Sequence, residues 1–164
     1  LAGPWTLAFP AGWGAPSSMR MDRLMSWTEL DLPAEARAFS GTATYTTEFT
    51  LDPLPMDSRV ELDLGCVAVI ARVRVNGQAV GTVWSQPFRQ DITRAVKPGV
   101  NRLSVEVTST WFNRLAFDAG LADEKERKTW TIGGPAKGSA LQPTGLPGPV
   151  MVRVGQTLDA SAAR

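Results

Sequence analysis

The sequence contains no histidine. A Ser-His-Asp triad, a Cys-His dyad and His-ligated zinc or copper are therefore excluded within the chain. There is one cysteine, Cys66, which excludes an internal disulfide and a thiolate cluster. Cys66 lies between Gly65 and Val67 in an apolar run and reads as a buried core thiol, because free Cys behaves as a small hydrophobe. Neither sign of charge is in excess: 17 Lys and Arg against 16 Asp and Glu leave a net charge of +1. Nucleic acid and anionic membrane both call for clustered basic charge, so neither is expected as a partner. No apolar run approaches the ~18 residues of a membrane-crossing helix. The chain opens Leu1-Ala2-Gly3-Pro4, with no initiator Met and no basic leader segment, and is expected to be a mature chain or a piece of a longer protein. Long amphipathic helices are missing too. Ala34–Arg37 and the stretch from Ala119 to Lys128 each offer a turn or two at most.

What is present has period two. Thr42–Leu51 places Ala43, Tyr45, Phe49 and Leu51 on one face and threonines with Glu48 on the other. Arg59–Leu64, Ala71–Val75 and Arg102–Thr108 alternate in the same way, and Val150, Val152 and Val154 close the pattern. Trp5-Thr-Leu-Ala-Phe9 has apolar odd positions, which puts Trp5 in the core. Alternation rich in β-branched side chains marks half-buried strands. The punctuation agrees. Asn76-Gly77 suits the positive φ of a tight hairpin turn, and Lys97-Pro-Gly-Val-Asn101 reads as another turn. A strand through Phe88 is expected to lead into one helical turn over Asp91–Val96. Many short strands with frequent turns predict an all-β antiparallel sandwich. At 164 residues, 43% of them hydrophobic, the chain suits one domain with a full core. Its expected bounds are 1–154, with 155–164 as a flexible tail.

Two stretches are less regular, residues 10–40 and 110–148. Irregular segments of that length are usually functional or partly folded. They hold Trp13, Trp27, Trp111 and Trp130, four of the six tryptophans. Trp27, after Met25 and Ser26, reads as core or as a domain interface. Trp84 falls in a loop or at a strand end. A pyranose has an apolar C–H face that stacks on indole, and its hydroxyls need planar, directional partners. Trp84, Gln86 and Arg89 offer that pairing, as do Trp111, Asn113 and Arg114. With Trp130 these make up the candidate carbohydrate-binding residues.

Glycoside cleavage needs two carboxylates about 5–10 Å apart across the scissile bond. Glu48, Glu61, Asp63 and Glu106 all alternate against apolar neighbours as solvated outer-face residues do. No catalytic residue is assigned. Calcium takes oxygen ligands from loops, and Asp118 with Asp123 is the candidate pair for a structural calcium. No cofactor is required by any motif.

Residues Arg74-Val-Asn-Gly-Gln-Ala-Val-Gly81, Pro87-Phe-Arg-Gln-Asp-Ile-Thr93 and Lys97-Pro-Gly-Val-Asn-Arg-Leu103 resemble the sugar-binding, galactose-binding-like jelly-roll domain of family 2 glycoside hydrolases. Phe39-Ser-Gly-Thr-Ala-Thr-Tyr45, Trp111-Phe-Asn-Arg-Leu115 and Gly145-Leu-Pro-Gly-Pro-Val150 are similar to the C-terminal β-sandwich of family 106, the α-L-rhamnosidases. The resemblance runs from Gly3 to Val154. It implies a jelly-roll sandwich and a bacterial, extracellular or periplasmic, polysaccharide-degrading setting. In that family the catalytic acids and calcium lie in a separate barrel, so the resemblance carries no rhamnosidase activity to this chain. Two functions follow. A non-catalytic carbohydrate-binding module, for plant cell-wall polysaccharide or oligosaccharide, would expose tryptophans beside polar groups. An accessory domain packed on a catalytic barrel would gather the same aromatics in an apolar patch.

Overall fold

Strands whose alternate side chains are apolar bury one face each, and two such faces close a core between them. The computed structural model, which describes residues 1–156, has this arrangement. Strands β1 (Trp5–Ala8), β2 (Ser18–Met21), β3 (Thr42–Leu51), β5 (Ile70–Val75), β6 (Gln78–Val83) and β8 (Gly99–Thr108) form a six-stranded sheet ordered β2-β1-β3-β8-β5-β6. Strands β4 (Ser58–Asp63), β7 (Arg89–Asp91) and β9 (Met151–Gln156) form a three-stranded sheet ordered β7-β4-β9. All the pairings are antiparallel. Tyr45, Val73, Leu103 and Val105 of the larger sheet meet Val60 and Leu62 of the smaller in one core. The expected β-sandwich is the fold.

The register sorts the connections to two ends. Ala8 lies opposite Thr44, Thr108 opposite both Thr42 and Ile70, and Val83 opposite Ala71. The segments leaving β1, β6 and β8 therefore emerge at one end, beside those entering β3 and β5. This loop end carries the β1–β2 connection, with Trp13, and the chain that leaves β8 into the 110–148 stretch. The other end carries the tight turns. There Asn76 and Gly77 have φ of 52° and 83°, the left-handed pair that a two-residue hairpin turn needs. The Asn76 amide donates to Ala95 O and to Asn101 Oδ1, each at 2.8 Å, and Asn76 Oδ1 accepts from the Arg102 N–H. Asn101, fully buried, closes the Lys97–Gly99 turn through both of its amide atoms. These two asparagines give the Val-Asn-Gly and Pro-Gly-Val-Asn motifs a structural purpose.

Several expectations are corrected. The 110–148 stretch contains a true helix, α2 (Phe112–Gly120), where no helix longer than a turn or two was expected. Its buried residues are Asn113, Arg114, Ala116 and Asp118, so the face it turns inward is largely polar. The shorter α1 (Ala34–Arg37) is the single turn expected. Strand β2 emerges from the irregular 10–40 stretch, where Met19 and Met21 follow a run of Gly and Pro that masks the strand. The strand expected through Phe88 instead begins at Arg89, and the helical turn follows over Ile92–Val96. Cys66 is exposed, because Gly65 at φ 66° turns the chain so that Leu64 and Val67 face inward and the thiol outward. Val154 is half exposed, since the inward pattern of β9 fades past Val152. Gly155 and Gln156 belong to β9, and the rest of the expected tail lies outside the described residues.

Candidate functional site

Exposed aromatic side chains concentrate in the segments that leave the loop end. Trp84 is 72% exposed in the β6–β7 connection, Trp111 is 47% exposed just before α2, and Trp130 is 75% exposed beyond it. Val69, also exposed, sits where the chain enters β5. Trp84 and Trp111 thus follow the two strands that flank β5. By contrast, the outer face of the larger sheet presents Thr6, Thr44, Thr46, Ser104, Arg72, Arg102 and Glu106, and no aromatic ring. A flat stacking platform on that sheet is therefore ruled out among the described residues. The loop end is where a ligand or partner has apolar surface to grip.

The predicted polar partners do not share that exposure. Asn113 is buried and pairs with the backbone of Gln142 in both directions, at 2.7 and 2.8 Å. It acts as a backbone surrogate that pins the returning chain. Arg114 is 1% exposed, with Nη1 donating to Glu35 at 2.9 Å and Nη2 to Asp118 at 2.7 Å. Its guanidinium also lies 5.5 Å from the Trp13 ring and 5.2 Å from the Phe117 ring. Asn113 and Arg114 are thus internal struts, with no free hydrogen-bonding face for sugar. Arg89 is on the outer face of the smaller sheet, at 3.0 Å from Asp63 and 3.6 Å from Glu61. Gln86 remains exposed in the Trp84 loop. The structure therefore gathers Trp84 with Gln86, leaves Trp111 and Trp130 exposed, and turns the other three inward or onto another face.

Residues outside the carbohydrate candidates complete the loop end. Trp13, half-buried, packs against Trp111 with ring centroids 5.3 Å apart. Lys128 Nζ donates to Glu35 and to Gly12 O, at 2.9 and 2.7 Å, and lies over the Trp13 ring. Asp118 accepts from Arg114, from the Lys128 and Thr129 N–H groups and from the Thr129 hydroxyl. The i,i+4 spacing of Arg114 and Asp118 was a legible signal for this helix pair. Glu35 and Lys128, distant in sequence, gave none.

The electrostatics follow from these contacts. Hydrogen bonds from Lys128 and then Arg114 hold the Glu35 carboxyl below its ordinary value. Burial alone would raise Asp118, but the bonds from Arg114 and Thr129 outweigh it and hold that carboxyl down as well. Asp63 follows the same pattern: burial is outweighed by the Gly65 N–H and by Arg89 and Arg153. Asp63 is buried, not the solvated outer-face acid its alternation suggested. These acids are paired anions, and a general acid needs the opposite, a carboxyl pushed up. Asp118 spends its oxygens on four donors, and Asp123 Oδ1 caps the turn at the Lys125 N–H. Among the described residues no three His, Cys, Asp or Glu side chains gather as metal ligands.

The model of the glycosyl hydrolase 2 galactose-binding domain-like family matches residues 22–143. The chain belongs to that family. Over 94% of its length it superposes on a rhamnosidase from Novosphingobium sp. PP1Y with a TM-score of 0.84 and 38% identity. A protein of Formosa agariphila named "Putative beta-glucuronidase" is 45% identical over 130 residues, 78% of this chain. A β-glucuronidase of Ruminococcus gnavus, at 24% identity and a TM-score of 0.56 over 65% of the chain, shares the fold. The chain spans 14% of the rhamnosidase, 11% of the Formosa protein and 20% of the Ruminococcus enzyme. It corresponds to the small galactose-binding-like domain of glycoside hydrolases and not to their catalytic barrel.

Proposed function

We propose that this chain is a non-catalytic ancillary domain whose loop end seats against the catalytic part of a larger glycoside hydrolase. One observation carries the reading. Val69, Trp84 and Trp111 expose apolar surface at one end of the sandwich, while Asn113 and Arg114, the polar groups that would have made Trp111 a sugar grip, face inward. An exposed ring whose polar neighbours are turned inward, as at Trp111, is what a domain interface presents. The absence of histidine and the paired state of the buried acids support a non-catalytic role. The likeness to the Novosphingobium rhamnosidase supports an α-L-rhamnosidase of the family 106 type as the parent. An extracellular or periplasmic setting belongs to the same proposal, since polymeric glycans are met there.

The test is association of two purified pieces, this chain and the remainder of its parent enzyme, followed by calorimetry. Binding is expected. Trp84→Ala with Trp111→Ala should weaken it by roughly 2–4 kcal/mol, the usual cost of truncating aromatic anchors. Absence of association, or association untouched by the double substitution, would overturn the reading. A second role, direct contact with carbohydrate, is favoured by a different residue. Trp130 stands 75% exposed on the far side of α2, beside a groove that retains polar edges.

A further inference from the structure

The groove beside Trp130 has the chemistry of a small binding site. It encloses about 280 Å³, just under the ~300–1,000 Å³ of drug-sized ligand pockets and closer to one sugar ring than to a chain. Leu115 and Ala119, one turn apart on α2, line it with Trp130 as apolar surface. Arg127, Thr131 and Gly133 line its polar edge. The lining holds one cation and no carboxylate. The ion pair that Arg127 makes, at 3.0 Å to the largely exposed Glu124, is of a kind worth little in water. Arg127 keeps 26% of its side chain exposed, and among the described residues the N–H groups of Thr131 and Gly133 have no backbone or side-chain acceptor. The polar edge thus offers donors, and its occupant has to bring acceptors.

We propose that this groove binds a single pyranose unit bearing a carboxylate, a uronate. The C–H face of the ring stacks on the Trp130 indole. The carboxylate meets the Arg127 guanidinium, the side chain suited to planar, charge-assisted recognition. A neutral hexose would satisfy the indole and leave Arg127 with only its surface pair to Glu124. The proposal rests on the carbohydrate-contact reading and is independent of docking through Trp84 and Trp111.

Calorimetry of the chain with galacturonate and glucuronate oligosaccharides, set beside their neutral galactose and glucose counterparts, tests it. Uronates are expected to bind roughly tenfold more tightly than neutral glycans. Arg127→Gln should remove that preference, and Trp130→Ala should abolish binding of both kinds, with thermal stability unchanged because the indole is solvent-facing. No uronate binding, or binding that survives Trp130→Ala, overturns the site. Equal affinity for neutral and acidic glycans, lost with Trp130, overturns acid selection and leaves carbohydrate contact standing.

Discussion

Tyr45, the one tyrosine, shows how a single residue can fix a loop. Its hydroxyl accepts from Trp27 Nε1 at 2.5 Å and from the Leu146 N–H at 3.1 Å, with all three residues buried. A Cβ on Gly145 would lie 2.6 Å from both the Trp27 nitrogen and the Tyr45 oxygen, and Gly145 has φ of 92°. The Gly-Leu-Pro-Gly-Pro motif therefore starts with glycine for packing as well as for backbone reasons. Tyr45→Phe leaves two buried donors unpaired and should destabilise the fold by roughly 1–3 kcal/mol for each, measured by denaturant unfolding. An unchanged midpoint would mean that water replaces the hydroxyl. Burial pushes the Tyr45 pKa up to about 12, against the two donated hydrogen bonds. The neutral hydroxyl is thus favoured in the fold, and its contribution, complete below the unfolded value near ~10, is lost as the pH rises through about 12. At this scale the sequence was legible where period two governs, as at Ala43, Tyr45 and Phe49. It was not legible at Cys66, where one left-handed glycine inverts which side chains face the core.

Among the elements, α2 departs most from the period-two pattern that runs through the chain. Its inward face is Asn113, Arg114 and Asp118; the last two pair with each other at i,i+4, and further partners stand at Gln142, Glu35 and Thr129. Which face of the helix turns inward is set by those partners and not by its apolar residues. The Trp111-Phe-Asn-Arg motif consequently read as a sugar grip, when two of its residues brace the chain. Removing one partner of a buried pair is far more costly than losing a surface pair. Asp118→Asn should cost roughly 3–5 kcal/mol, seen as a lowered Tm with the β-sheet signal retained at low temperature. The same acids set the pH response. Asp118, Asp63 and Glu35 are all depressed in the fold. Their contribution is complete above the ordinary carboxylate pKa and is lost as the pH falls through the lower folded values. Tm should stay level from neutrality to about pH 5 and fall below about pH 4, with a shallower acid limb in the Asp118→Asn variant. A Tm that begins to fall between pH 7 and 6 would contradict this.

For the whole molecule, two sheets with one polar outer face and one ion-paired outer face leave the loop end as the distinctive surface. Arg59, Glu61, Asp63, Arg89, Asp91 and Arg153 cancel one another across the smaller sheet. The larger sheet shows hydroxyls and mixed charge. Strand periodicity made this architecture readable in advance, because each half-buried strand carries its own record of inside and outside. Of the candidate residues, Trp84, Trp111 and Trp130 are exposed as expected. Their polar company depended on long-range partners that no local pattern encodes, which is why Asn113 and Arg114 lie buried and Arg89 pairs with Asp63 on the smaller sheet. The central claim, that the loop end faces the rest of a glycoside hydrolase, is tested most directly by hydrogen–deuterium exchange of this chain alone and within its whole parent enzyme. Slower exchange is predicted at residues 66–70, 84–88 and 109–113, with the outer faces of both sheets unchanged. Protection confined to the β4, β7 and β9 face, with those loops exchanging as freely as in the isolated chain, would contradict it.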